Sequence, residues 1–365
     1  MKLIAYYLPQ YHVTKENNDF WGEGYTEWIN VKKAKPVFRG HYQPRVPLDY
    51  DYYDLESGEK IVDQMKLAGQ YGIDAFCFYH YWFGNGKQVL HKPVDNFLKL
   101  QNSPIEYCFC WANETWTRTW NGGAGNREIL MDQEYGDADD WERHINYLIP
   151  FFQDKSYLKI NGKPVFLVFD MQNIPMATRD EMFACWDKHL KENGIEGLFL
   201  ITMHIGHYGG LYSRYSSGEV DFEPVNTRRL SRESNTLYMD IKELLWKYQK
   251  VPVLRRFLRR EISYCKTCDL ILEKHHGKNY FRSLFVGYDD TPRRGYRSTI
   301  YTGSTPQSYG HYLNKTIQKS IEEHNELVFI YAWNEWGESG YLEPDMKYRY
   351  RYLEETKLQR SFYET

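Results

Sequence analysis

The chain has 365 residues, a formal net charge of -3, 42% hydrophobic residues and 17% aromatic ones. The near-neutral balance gives no reason to expect nucleic acid or an acidic membrane surface as partner, and no stretch approaches the ~18 apolar residues of a membrane span. The length lies within the range of one (β/α) barrel with insertions, and the 33 Tyr, 19 Phe and 11 Trp supply both a core and rings set beside Asn, Glu, His and Arg, as in a carbohydrate-stacking surface.

Met1 and Lys2 lead straight into a β-rich run at 3–8, with no basic and apolar leader, so the expected location is cytoplasmic. A long loop through Trp21, Glu27 and Trp28 follows. Ser57 then precedes a helical pattern at 59–71, with Ile61, Met65 and Ala68 on one face and Gly72 at its end. Strand signals follow at 74–79 and 107–111, with a short helix at 93–100 between them. A helix at 139–152, a strand at 164–169, a helix at 179–192 closed by Gly194, and a strand at 198–202 come next. A weak sixth strand spans 220–222. The segment 231–274 is basic and mostly helical, longer than a barrel helix requires, and reads as an insertion whose run at 253–260 fits a solvated face, which is favoured, or a contact with a membrane or an acidic partner. A strand at 281–288, a helix at 307–323, a strand at 327–332 and a helix at 348–358 complete the chain.

Eight strands alternating with helices predict an α/β fold, a (β/α)8 TIM barrel forming one domain over 1–365 with the 231–274 insertion before strand seven. No GxGxxG follows the first strand and there is no P-loop, which argues against nucleotide-binding folds. Cys77, Cys108 and Cys110 lie within predicted strands as small buried hydrophobes. Cys265 and Cys268 with His275 and His276 lack a second Cys pair, so neither metal nor cofactor is expected.

Barrel active sites form at the carboxyl ends of the strands. Strand one delivers Tyr7, Gln10, Tyr11 and His12 there; strand two, His80, Tyr81 and Trp82; strand three, Trp111, Asn113, Glu114, Trp116, Arg118 and Trp120. Asp170, His204 and Glu223 follow strands four, five and six, and Asp289, Asp290, Arg293 and Arg294 follow strand seven. Strand eight breaks into Trp333-Asn334-Glu335-Trp336-Gly337-Glu338. Paired carboxyl groups among aromatic rings suit glycosidic bond chemistry, which needs one group to protonate a leaving oxygen and another as base or nucleophile. Glu335 and Glu338 are therefore the candidate catalytic pair, and the substrate-binding candidates are Tyr7, Tyr11, His80, Trp82, Trp111, Asn113, Glu114, Trp116, Arg118, Asp170, His204, Glu223, Asp290, Arg293, Asn334 and Trp336. His80 also fits a packed rim, and Asp290 with Arg293 and Arg294 also fits loop-fixing salt bridges. Glu114 fits a second acid, a hydroxyl acceptor or a partner of Arg118, the last two being favoured.

The motifs Tyr6 to His12 (YYLPQYH), Phe20 to Trp28 (FWGEGYTEW), Ala34 to Pro44, Tyr71 to Phe83, Cys110 to Gly122 (CWANETWTRTWNG), Asp289 to Arg294 (DDTPRR) and WNEWGE resemble, in order and over nearly the whole chain, the WbsX-like proteins. These are often labelled glycosyltransferases and are related to the family 99 endo-α-mannosidases and endo-α-mannanases. The resemblance implies a barrel that acts on an oligosaccharide or polysaccharide of a bacterial surface. It further implies retention through a 1,2-anhydro sugar, with Glu335 as base on the substrate's 2-hydroxyl and Glu338 as acid and then base. Asn334 would orient the neighbouring carboxylate or a hydroxyl, and Trp111 and Trp116 would be sugar platforms. The motif's final Gly is Ser339 here, with Gly340 after it. The leading expectation is a retaining, endo-α-mannosidase-like glycoside hydrolase. The alternative is a transferase of O-antigen or capsule synthesis, favoured by the lack of a leader and by the basic segment, and opposed by the lack of a D-x-D motif. The oligomeric state is not specified by any of these features.

Overall fold

A computed structural model describes residues 1–118, 128–206, 215–232 and 260–363 of the chain. Its centre is a closed ring of eight parallel strands: β1 (Lys2–Tyr7), β2 (Ala75–Trp82), β3 (Glu106–Trp111), β4 (Lys163–Val168), β5 (Phe199–His204), β6 (Ser216–Asp221), β7 (Tyr280–Phe285) and β8 (Leu327–Tyr331). Each strand pairs with the next, and β1 closes the ring by pairing Ile4 with Ala75 on one side and Ala5 with Ile330 on the other. The expected (β/α)8 barrel is thus the observed fold.

The helices between the strands explain the strand sequences. Parallel strands in such a ring are covered on both faces, so they read as nearly unbroken apolar runs; β2 is AFCFYHYW and buried throughout. One parity of side chains fills the barrel, where Tyr6 stacks on Tyr79 and on Phe329 with ring centroids 6.0 and 5.6 Å apart. The other parity packs outward. Phe78 meets Phe97 of the helix Lys92–Leu100, and Trp111 meets Trp186 of the helix Met176–Glu192.

Most elements fall within a few residues of their expected positions. The weak sixth strand is longer at its start than the expected 220–222, because Ser216, Gly218 and Glu219 pair with β5 although their side chains carry no apolar signal. The loop after β1 contains two short helices that hydrophobic spacing did not mark, α1 (Lys15–Trp21) and α2 (Glu27–Lys33). The first is capped by Thr14 Oγ1, which accepts from Asn17 N at 3.1 Å. Most of the expected 231–274 insertion lies outside the described residues. At its ends are α3 (Val225–Arg232), a short strand Arg260–Ser263 paired with Thr299–Thr302, and α4 (Tyr264–Glu273). Among the described residues no helix is long and apolar enough to cross a membrane.

Candidate active site

Beyond β8 the chain makes a small antiparallel pairing, Asn334–Glu335 with Gly340–Tyr341, and between these arms the 3-10 turn Trp336–Glu338. Four hydrogen bonds fix this hairpin at the mouth of the barrel. Leu8 N donates to Asn334 Oδ1 at 2.7 Å, Asn334 Nδ2 donates back to Leu8 O at 3.0 Å, and Tyr11 OH donates to Asn334 O at 2.6 Å while accepting from Trp336 N at 3.2 Å. Ser339 takes the left-handed conformation, φ 52°, a region that favours glycine, and Gln43 Nε2 donates to its hydroxyl at 3.0 Å.

This frame aims Glu335 and Glu338 into a cavity of about 360 Å³ at the carboxyl end of the barrel. A single buried guanidinium, Arg293 on the short helix α5 (Thr291–Arg294), meets three carboxyl groups. Its Nε donates to Glu27 Oε1 at 2.9 Å, its Nη1 to Glu338 Oε1 at 2.6 Å, and its Nη2 lies 3.7 Å from Glu335 Oε2. Tyr331 OH donates to the other oxygen of Glu338. By contrast, Glu335 Oε2 receives no hydrogen bond among the described residues, although the side chain is buried. Burial, then the neighbouring Glu338, push its carboxyl up to about 8, against the pull of Arg293. Glu114 faces the same cavity and is raised to about 7, chiefly by burial and by Asp170.

The wall around these carboxyl groups is aromatic and cationic. Tyr79 and Tyr81 from β2, Trp116, Phe169, Phe222 and Tyr331 supply the rings, and Arg228, Arg229 and Arg294 supply positive charge. Among the residues singled out in the sequence, the cleft brings together Glu335, Glu338, Arg293, Arg294, Glu114, Trp116 and Tyr81. Arg118 stands at the exposed rim, paired twice with Glu128 and donating to Phe20 O at 3.2 Å. Trp120 lies outside the described residues.

The other candidates sit behind the wall in satisfied contacts. His80 bonds His144 at 2.8 Å, and burial lowers it to about 3; Trp82 stacks on the same His144 ring at 4.4 Å. Trp111 is 1% exposed and donates to Trp82 O at 3.0 Å, so it offers no ring face to a sugar. Asn113 and the Asp170 backbone exchange two hydrogen bonds, of 2.7 and 2.9 Å, that tie the ends of β3 and β4. Tyr7 bonds Gln64, His204 bonds Glu219 at 2.6 Å, Glu223 accepts from Lys274 at 2.7 Å, and Asp290 accepts from Thr299 N at 2.7 Å and pairs with Arg294 at 3.3 Å. Asn334 is fully used in holding the hairpin to β1. Trp336 is wholly buried and donates to Glu343 at 2.6 Å.

Strand parity accounts for this division. On β2 the odd positions Tyr79 and Tyr81 point into the cleft while His80 and Trp82 point at the helices; β3 ends with Trp111 turned onto the helix Met176–Glu192, and beyond the strand the run Glu114 to Thr117 lines the cavity without alternation. Tyr79, Tyr288, Tyr331, Arg228 and Arg229 were not singled out in the sequence. Period-two phasing from one known inward residue would have found Tyr79 and Tyr331. The two arginines of α3 carry no such signal.

Comparison with known proteins adds family and fold. The family model described as Glycosyltransferase WbsX matches residues 3–356. A protein of Xanthomonas campestris pv. campestris, the uncharacterized protein WxcX, is 32% identical over 370 residues, covering 97% of this chain; the chain spans 49% of that relative's length. Among solved structures, a family 99 endo-α-mannosidase from Bacteroides thetaiotaomicron, in complex with bis-tris-propane, superposes with a TM-score of 0.58 over 99% of this chain and 97% of its own, at 13% identity. A glycoside hydrolase-like protein gives 0.54 over 98% and 93%, at 11% identity. At those identities the likeness is one of fold.

Proposed function

The chain belongs to the WbsX glycosyltransferase family, and we propose that its cleft breaks an α-glycosidic bond of a mannose-like sugar with retention, using the substrate's own 2-hydroxyl as nucleophile. The observation that carries this reading is Glu335, which lines the cavity beside a second carboxyl group, Glu338, and whose Oε2 is buried without a hydrogen bond. An unsatisfied buried acceptor is costly unless a ligand completes it. A sugar hydroxyl donated to the Glu335 carboxylate would stabilise its charge.

The two carboxyl groups share one proton in this scheme. In the empty cleft burial favours the neutral form of Glu335, while both oxygens of Glu338 accept, one from Arg293 and one from Tyr331. The incoming 2-hydroxyl stabilises the ionised form of Glu335, and the proton passes to Glu338. Glu335 then takes the 2-hydroxyl proton as O2 bonds to C1, the C1 to leaving-oxygen bond breaks, and the leaving oxygen takes the proton of Glu338. Water adds to C1 of the 1,2-anhydro sugar as Glu338 removes its proton, the C1–O2 bond opens, and Glu335 returns a proton to O2. Two displacements at C1 give net retention.

A sugar hydroxyl in the place of that water gives transfer instead of hydrolysis, and the family description favours this second reading. Incubating the protein with α-mannosides and bacterial surface glycans, with and without a nucleotide sugar, and following the product anomer by proton NMR tests both. A retained anomer supports the scheme, and an inverted one sinks it. Product formed only when a nucleotide sugar is supplied replaces hydrolysis with synthesis.

A further inference from the structure

The Arg293 guanidinium is shared unequally, and the cause lies outside the pair it serves. Glu27, on α2 and 2% exposed, accepts from Nε at 2.9 Å, and Asn30 Nδ2 donates to the same oxygen of Glu27 at 3.4 Å. With its Nε so held, the planar guanidinium reaches Glu338 at 2.6 Å but Glu335 only at 3.7 Å. The turn between the two glutamates is built around this contact. A Cβ added at Gly337 would lie 2.3 Å from Glu27 Oε1 and 2.9 Å from Arg293 Nε, so no larger residue fits while the ion pair stands.

On the reading of Glu335 and Glu338 as the catalytic pair, we propose that Glu27 is a positioning residue which, through Arg293, decides which of the two carboxyl groups holds their shared proton. Three carboxyl groups around one cation leave an excess of negative charge, and the member served worst by the cation is the one that keeps a proton. Glu335 is that member: deeply buried, at ion-pair distance only from Arg293, and raised first by burial, then by the charge of Glu338 and last by that of Glu27. The other titratable and charged groups around it are the phenols of Tyr11, Tyr79, Tyr81 and Tyr331, all raised first by burial and hence neutral near pH 7, Glu114 in the same cavity, raised to about 7 by burial and Asp170, and the lining cations Arg228, Arg229 and Arg294. Glu27 touches neither the cavity nor a reacting atom, so its effect is on proton placement.

The test needs no substrate. In the full chain labelled with glutamate carrying 13C at the carboxyl carbon, the Glu335 signal is identified by its loss in Glu335→Gln and is titrated by NMR. Glu27→Gln keeps the shape and an acceptor for Arg293 but removes a charge, so the Glu335 titration moves down by on the order of one pH unit. Glu27→Asp, which keeps the charge, leaves it near the parent value. An unchanged titration in folded Glu27→Gln, or an equal drop in Glu27→Asp, overturns the proposal. Should Glu27→Gln fail to fold, Gly337→Ala displaces the same carboxyl group, and an unmoved Glu335 titration in that variant overturns it equally. If the parent protein cleaves no glycan, the functional reading falls while this titration still decides the role of Glu27. If cleavage is found, the alkaline limb of its pH profile shifts with the NMR titration.

Discussion

Glu335 and Glu343 lie on either side of Trp336, and the contrast between them separates a functional carboxyl group from a structural one. Both are buried, and burial raises both, Glu335 to about 8 and Glu343 to about 7. Glu343 is surrounded by donors. It accepts from Trp336 Nε1 at 2.6 Å, Tyr53 OH at 2.8 Å and Gln64 Nε2 at 2.7 Å, and Gln64 in turn accepts from Tyr7. Glu335 lines the cavity, and its Oε2 has no hydrogen bond from the described residues. Burial and a raised pKa therefore do not by themselves mark a catalytic acid. What sets Glu335 apart is its place on the cavity wall beside a second carboxyl group, where Glu343 is enclosed by three protein donors.

The sharpest way to break this contrast is to neutralise each group in turn. Glu335→Gln and Glu338→Gln are each expected to lower glycan turnover by about two to four orders of magnitude with folding intact, measured as initial rates alongside circular dichroism. Glu343→Gln is expected to leave the chemistry in place but to destabilise the fold by about 1–3 kcal/mol, because the amide puts an N–H among three donors. Chemical denaturation checks this. Large losses of turnover in Glu343→Gln at unchanged stability would erase the distinction.

Protonation gives a second measurement with the opposite sign for stability. The carboxyl of Glu335 is raised above its ordinary 4.5, so the folded state binds the proton more tightly than the unfolded one. Its contribution to stability is full below about pH 4.5 and is lost as pH rises toward 8. Glu335→Gln removes that loss and is expected to be more stable than the parent by about 1–2 kcal/mol at pH 8, with the difference shrinking toward pH 4. Equal stability across that range would mean that the carboxyl group is better solvated than its burial indicates.

Smaller effects sharpen the boundary of the cleft. Tyr331→Phe removes a donor to Glu338 and is expected to lower turnover about tenfold with little change in KM. Tyr81→Ala is expected to raise KM, since the ring lines the cavity, whereas His80→Phe, one residue away on the outer face, is expected to cost about 1–2 kcal/mol of stability with KM unchanged. A change in KM from His80→Phe would refute the division by strand parity.

The sequence by itself determined the barrel and the whereabouts of its chemistry. Alternating strand and helix periods, apolar runs such as 75–79, and an abrupt polar break after 332 are local signals, set by the backbone and by burial on both faces of a parallel strand. They were enough to place Glu335 and Glu338 at the mouth. The membership of the cleft was decided only in three dimensions. A polar or aromatic residue at a strand end is written the same way whether its side chain turns into the cavity, as in Tyr81, or onto a helix, as in His80, and the difference is one residue of register closed around the whole ring. The same holds for Glu27 and Arg293, which are 266 residues apart in the chain. Their meeting beneath Gly337 depends on β1 and β8 pairing to close the barrel, a contact to which neither local sequence points.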